Sequence, residues 1–294
     1  MWDAFGHILD GERDSKSLGD MAAKLCFNTA SKLREDHTDP RIWFAEFSGP
    51  NLRWEALGIL FTCWTGSLLT LQCDTVPEAC PSIRNMNLMS AIRLYKDDAW
   101  HCSQFCWNAC EGTTLLCLLL FKHSILESIT SGDAGKDGVT FFFCFQCILI
   151  FDNVDIKHWR LHGDLVALTT YLGLHTTTSS PNDRSICVQL QRRLFASIFN
   201  MDKVIAIFTG RPPMLSRRFI STYLPLDITD EELLQDSTST NAVYKELDED
   251  GWNKEGVIYN TTHLRARALM SFIRDAILEI ALRTTLYDSE ETIL

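Results

Sequence analysis

A chain of 294 residues, 46% hydrophobic and 22% charged, has material for a sizeable core in one large domain or two small ones. Its formal net charge of −11 argues against unaided nucleic-acid binding, because neutralising phosphates takes clustered Lys and Arg. Eleven cysteines, an odd number with several inside apolar runs, fit buried thiols in a reducing compartment better than a disulfide frame.

In chain order, the opening MWDAFGHILDGERD lacks a basic n-region and carries acids early, so it does not read as a signal peptide. Helices are expected around Gly19–Arg34 and Leu52–Leu71. The stretch Ala56 to Cys73 is uncharged and borderline in length for a membrane span. Its Thr, Ser, Gly and Gln residues point instead to a core helix, and no membrane association is expected. Further helices are expected over Asn85–Trp100 and Ser103–Ser128, then over WRLHGDLVALTTYLGLH, which stops at Gly173 before a polar loop.

In LQRRLFASIFNMDKVIAIF, the residues Leu190, Leu194, Ile198, Met201, Ile205 and Phe208 recur at helical spacing. Arg192, Arg193, Asp202 and Lys203 fall outside that stripe. Gly210 supplies a left-handed cap to this helix, and Pro212 and Pro213 forbid its continuation. Arg211 adds positive charge at the negative end of the helix dipole and is expected to pair with a carboxylate such as Asp202. The last helix, HLRARALMSFIRDAILEIALR, is expected to face inward through Leu264, Ala268, Phe272 or Ser271, Ala276 and Ile280. No alternating strands and no fixed-period repeat occur, so the fold class is all-α, an irregular multi-helix bundle or stack forming a single domain over 1–294.

Two regions stand apart. Residues 132–158 are Phe- and Cys-rich after a flexible GDAGKDG, and part of the run reads as an insertion or a translated intron. Residues Leu226 to Glu255 hold ten acidic and two basic residues, so most of the net charge is local. The run reads as a solvated acidic loop, with an interaction surface as the alternative.

Reactive chemistry finds little footing. Cys102, Cys106 and Cys110 share a helix face without a second pair at zinc spacing, and Cys144-x-x-Cys147 sits among Phe and Ile. Asp97-Asp98 lacks a third acid, Gly135-Lys136 lacks the rest of a phosphate loop, and no G-x-S-x-G elbow occurs. The eight histidines form no H-x-x-x-H pair. No catalytic, cofactor-binding or metal residue is assigned, and an enzyme is not expected.

The run from Arg192 to Asp227, RRLFASIFNMDKVIAIFTGRPPMLSRRFISTYLPLD, resembles the signature of the fungal-specific transcription factor domain, the middle homology region of zinc binuclear cluster factors. The matching places are Arg192, Arg193, Leu194, Phe195, Asp202, Lys203, Gly210, Arg211, Pro212, Pro213, Leu215, Leu224 and Pro225. Upstream, HGDLVALTTYLGLH is similar to the family's preceding helix, ending in Gly173, Leu174 and His175. The resemblance covers about Trp159 to Asp230 and implies an all-α regulatory region of a nuclear transcription factor.

That family's DNA-binding module, six cysteines holding two zinc ions, has no counterpart in this sequence, so zinc is expected only in such a separate module and no cofactor here. The family domain also usually runs longer, which makes SEETIL read as an early end. Other regulators and the transcription machinery are the expected partners, with a homodimer and a small-molecule effector also allowed. DNA is reached only indirectly or through the missing module. The alternative is a stand-alone interaction or small-molecule-binding helical protein without a direct transcriptional role.

Overall fold

A computed structural model describes residues 15–70, 86–130, 156–176, 179–235 and 246–282, with side chains from 18 onward. These residues form helices α1 (Ser15–Ala30), α2 (Pro40–Ala45), α3 (Trp54–Leu69), α4 (Leu88–Ala109), α5 (Thr114–Thr130), α6 (Ile156–Tyr171), α7 (Ile186–Thr209), α8 (Asp230–Leu233) and α9 (Asn260–Ala281). Among the described residues there is no named strand, only an isolated bridge between Leu247 and Asn253, so the all-α expectation holds. No described helix is long and apolar enough to cross a membrane. Of the expected insertion at 132–158, residues up to 155, with the Cys-x-x-Cys, lie outside the described residues, and 156–158 belong to α6. The inward face of α9 is rotated from the one expected: Thr261, Arg265, Ala268, Ser271, Asp275 and Leu278 are buried, leaving Ala276 and Ile280 outside.

Helices α3 to α6 stack as an antiparallel series. Trp54 meets Phe105 and Phe61 meets Tyr95, so α3 and α4 run in opposite directions. Lys96 reaches Glu127 while Trp100 stacks on His123, which sets α5 against α4 the same way. The Cys117 thiol touches the Thr169 hydroxyl across α5 and α6. The largest core cluster fills this stack and extends to α7, with Cys106, Leu119, Leu165, Ile198 and Phe199 all at or near zero exposure. Each large side chain buried there contributes about 1.5–3 kcal/mol. A second cluster of Leu25, Leu33, Phe47, Leu52 and Leu60 seats α1 and α2 on α3.

The uncharged helix α3 belongs to this interior. Thr62 and Thr65 donate their hydroxyls back to the carbonyls of Ile59 and Phe61, which makes them tolerable in the core. Gly58 is there for space: a Cβ would stand 2.6 Å from Leu119 Cδ2 and 2.9 Å from Cys102 Cβ.

The sequence misplaces one boundary. The break falls at Cys110–Thr113, not between Trp100 and Ser103, so Cys102 and Cys106 lie inside α4 and Cys110 caps it. The reason is a capping arrangement built from far away. The Glu35 carboxylate accepts the Thr114 N–H at 2.6 Å and the Thr114 hydroxyl at 2.8 Å, and Thr113 Oγ1 accepts the Leu116 N–H at 3.0 Å. Burial pushes the Glu35 carboxyl up, against these hydrogen bonds and the charge of Arg53.

Arg53 closes the other end of the same region. Its guanidinium donates to the carbonyls of Asn28, Thr29 and Ser31, the open C-terminal end of α1, and to the fully buried Glu55.

Two outcomes follow. Gly58→Val overpacks the α3–α4–α5 contact and lowers unfolding free energy by about 1–3 kcal/mol, measured by denaturant titration. His123 is buried against Trp100, and its burial holds the imidazole pKa down to about 4. The unfolded histidine takes its proton near pH ~6.5, so the unfolded state binds more protons between the two values. Stability therefore falls from pH ~6.5 to ~4, by on the order of 3 kcal/mol, and His123→Leu flattens that part of the stability–pH curve.

Candidate functional site

Of the four charged residues outside the apolar stripe of α7, three prove to be buried and Arg193 half-buried. Arg192 and Asp202 are 2% exposed and Lys203 is 0% exposed, because α7 is enclosed on nearly every side. A charge there must be paired, and the pairing organises the signature.

Asp202 Oδ1 accepts from His162 Nε2 of α6 at 3.0 Å and from the Met214 N–H at 2.9 Å. Its Oδ2 accepts from Lys203 Nζ at 3.0 Å and from the Leu215 N–H at 3.1 Å. Burial alone would raise this carboxyl; the His162 hydrogen bond, the Lys203 charge and the Met214 N–H outweigh it and hold it below the usual aspartate range. Lys203 Nζ also donates to the Leu215 carbonyl and lies 2.7 Å from Asp275 Oδ1 of α9. Asp275 Oδ2 in turn accepts the Arg217 N–H at 3.0 Å. One buried cluster thus fastens α6, α7, the 210–217 loop and α9.

Sequence reasoning placed Asp202 in the signature but missed His162 and Asp275 as its partners. Only the adjacency of Asp202 and Lys203 among the apolar residues of the second half of α7 hinted at a buried pair.

Gly210 takes φ +63°, the left-handed cap expected of it. Arg211, however, does not pair with Asp202. Its guanidinium stands over the Trp159 ring at 4.9 Å, because four donors already saturate the aspartate. Pro212 and Pro213 form the turn between cap and cluster, Pro212 exposed and Pro213 half-buried.

The remaining signature residues close neighbouring joints. Arg192 donates to the Pro181 and Ser180 carbonyls and to Ser179 Oγ, at 2.8, 2.6 and 3.0 Å, and stacks over Tyr223. Arg193 bonds Asp230 at 2.5 Å and the Ile228 carbonyl at 3.0 Å. Gly173, at φ +69°, turns the chain after α6, Leu174 is buried, and the His175 carbonyl accepts the N–H groups of Ser221 and Thr222. The structure spreads these residues along the walls of one scaffold, with Arg192 also lining a small crevice beside Phe195, Tyr223, Leu224 and Phe272.

The acidic stretch is only partly the solvated loop expected. Asp227 is buried and accepts the hydroxyls of Thr261 and Thr262 at 3.3 and 2.7 Å, which ties it to the first turn of α9. Glu232 closes a reciprocal capping box with Thr229. Arg265 of α9 stacks on Trp252 and bonds the carbonyls of Pro225 and Asp250.

A cleft opens elsewhere. It has a volume of about 850 Å³ and opens between the loop after α1 and the α4–α5 turn, lined by Lys32, Arg34, Asp36, His37, Glu111 and Tyr171 among others. Both signs of charge meet there, as a polar or zwitterionic small molecule would require.

Among the described residues, no three His, Cys, Asp or Glu side chains converge as metal ligands. Burial pushes the thiols of Cys102 and Cys117 up to about 12 and that of Cys187 to about 11, away from the thiolate form that zinc binds. These cysteines do not fit the six-cysteine zinc site of the resembled family.

Asp202→Ala leaves Lys203 buried beside a half-dismantled cluster and lowers stability by about 3–5 kcal/mol. Arg211→Ala removes one exposed cation–π contact and costs only about 0.5–1 kcal/mol. Thermal unfolding of the two variants side by side checks the ordering, and equal losses would assign Arg211 a role the geometry does not give it.

Comparison with known proteins agrees with this architecture. The fungal specific transcription factor domain model matches residues 111–273. The chain is 32% identical over 93 residues to pyrimidine pathway regulatory protein 1 of Saccharomyces cerevisiae, covering 31% of this chain and 9% of that protein. It is 20% identical over 200 residues to transcription factor phm2 of Pyrenochaetopsis sp, covering 67% of this chain and 23% of that protein. The match thus spans less than a quarter of either relative's length. No solved structure matches. With the family match spanning more than half of the chain, the chain belongs to the fungal-specific transcription factor domain family.

Proposed function

We propose that this chain is the regulatory part of a fungal transcription regulator, working in the nucleus through contacts with other regulators or the transcription machinery and leaving DNA contact to a separate zinc-binding module or to a partner. The observation that carries the reading is the use made of the signature. Asp202, Arg192, Arg193, Gly210 and Leu174 are engaged in internal bonds, turns or packing, so the signature builds a scaffold and leaves the outer surface for partners. The bulk charge supports it too: at −11, the chain is poorly suited to holding phosphates itself.

Effector sensing is the second reading, favoured by the cleft of about 850 Å³ with its mixed charges. A ligand held there would touch the loop after α1, the α4–α5 turn and the end of α6 together. It would stabilise the folded chain in proportion to the logarithm of its concentration over its dissociation constant.

The test is a reporter assay in a fungal host, with the chain fused to an unrelated DNA-binding domain. Reporter output is expected to change, in either direction, with the fused wild-type chain and to return to baseline with Asp202→Ala. A folded fusion with no effect on the reporter overturns the regulatory reading.

A further inference from the structure

The sequence holds eight prolines, and only Pro181 follows a serine or threonine. The dipeptide Ser180-Pro181 lies in the connection between α6 and α7. Ser180, Pro181 and Asn182 are exposed, and the Asp183 N–H donates to the Ser180 carbonyl at 3.1 Å, which closes a four-residue turn with proline in its second place. The neighbouring Ser179 is half-buried and engages its hydroxyl with Arg192. Of the two serines, Ser180 is thus the one that offers its side chain to an enzyme from outside.

Beneath this turn lies a cation without an anion. The buried Arg192 guanidinium holds the turn through three neutral acceptors: the Pro181 carbonyl at 2.8 Å, the Ser180 carbonyl at 2.6 Å and Ser179 Oγ at 3.0 Å. Among the described residues no ion pair joins it to a carboxylate, and its Nε is buried without an acceptor. Asp183, the acid of the same turn, turns Oδ1 instead to the Ser185 N–H and hydroxyl at 2.8 and 2.6 Å, at the start of α7. A desolvated cation held only by neutral groups gains from an anion brought within its reach.

We propose that Ser180 is a phosphorylation site for a proline-directed protein kinase, and that the phosphate it gains is held by Arg192. A kinase groove that offers no acceptor to the residue after the accepting serine favours proline, which has no N–H to leave unpaired. The Ser180 oxygen bonds to the γ-phosphorus of a nucleoside triphosphate, the bond from that phosphorus to its bridging oxygen breaks, the nucleoside diphosphate leaves, and the hydroxyl proton passes to the kinase's base. The product carries about −1.5 to −2 charges at pH 7. Because the Ser180 carbonyl already lies 2.6 Å from Arg192 Nη2, a phosphate on the same residue reaches the guanidinium and displaces the Ser179 hydroxyl from it. It also stands near the N-terminus of α7, where negative charge is favoured, and this offsets repulsion from Asp183.

The modification tightens the α6–α7 connection onto α7, the helix that carries Asp202 and Lys203. It goes beyond the regulatory reading and does not depend on it: a chain that leaves a reporter unchanged is phosphorylated all the same, and a chain that escapes the kinase can still act on a reporter.

Incubation of the whole folded chain with a purified mitogen-activated protein kinase and magnesium ATP tests it, read by intact mass and by mass spectrometry of the peptide that holds Ser180. The expected result is a single phosphate per chain, on Ser180, absent from Ser180→Ala. Incorporation is slower by roughly tenfold or more in Pro181→Ala, which keeps the carbonyl that Arg192 uses. The phosphorylated chain melts about 2–4 °C above the unmodified one. No incorporation, incorporation at another residue, or an undiminished rate in Pro181→Ala overturns the site. A phosphorylated chain that melts at or below the unmodified temperature overturns the contact with Arg192. Mapping and melting both use the unaltered chain, so misfolding of a variant cannot decide the question.

Discussion

Two adjacent side chains of opposite charge, Asp202 and Lys203, are buried almost completely within α7. Desolvated charges of this kind are tolerated only with partners, and here the partners come from everywhere the fold must meet: an imidazole from α6, two backbone N–H groups and a carbonyl from the loop after α7, and a second carboxylate from α9. The cluster therefore fixes relative position. An apolar contact can slide by a fraction of a turn at little cost, whereas a saturated carboxylate in a dry interior cannot move without losing several hydrogen bonds together.

The same device recurs at smaller scale. Glu35 caps α5 from 79 residues away, Arg53 covers the carbonyl end of α1, and Asp227 holds the start of α9. The first two meet the requirement that the open ends of helices find partners when they are buried. An irregular stack of helices lacks the repeating geometry of a sheet, so its registration rests on these polar joints as much as on the aliphatic core. Polar chemistry is spent on holding the scaffold, while a mixed-charge cleft between the loop after α1 and the α4–α5 turn faces outward.

The family identity was legible from a short run of residues because its physics is local. Gly210 for a left-handed cap, two prolines to end the helix and an aspartate one turn or two earlier are choices that the chain must make wherever it builds this joint. Arg211 shows the limit of such reading. A cation beside a helix end and a nearby carboxylate made a reasonable pair on paper, but the carboxylate was already saturated by groups brought from residues 162, 203, 214 and 215.

By itself the sequence determined the helical class and most of the helix spans, because a 3.6-residue apolar rhythm needs no tertiary knowledge to be recognised. It also determined where α6 and α7 stop, since glycine and proline act through their own backbone. Only the tertiary structure decided where α4 ends, because the carboxylate that caps α5 is remote in sequence. It alone decided which side of α9 faces inward. There the polar Arg265, Ser271 and Asp275 displace isoleucines from the interior, because the buried Lys203 and the Pro225 and Asp250 carbonyls need partners more than the core needs further aliphatic volume.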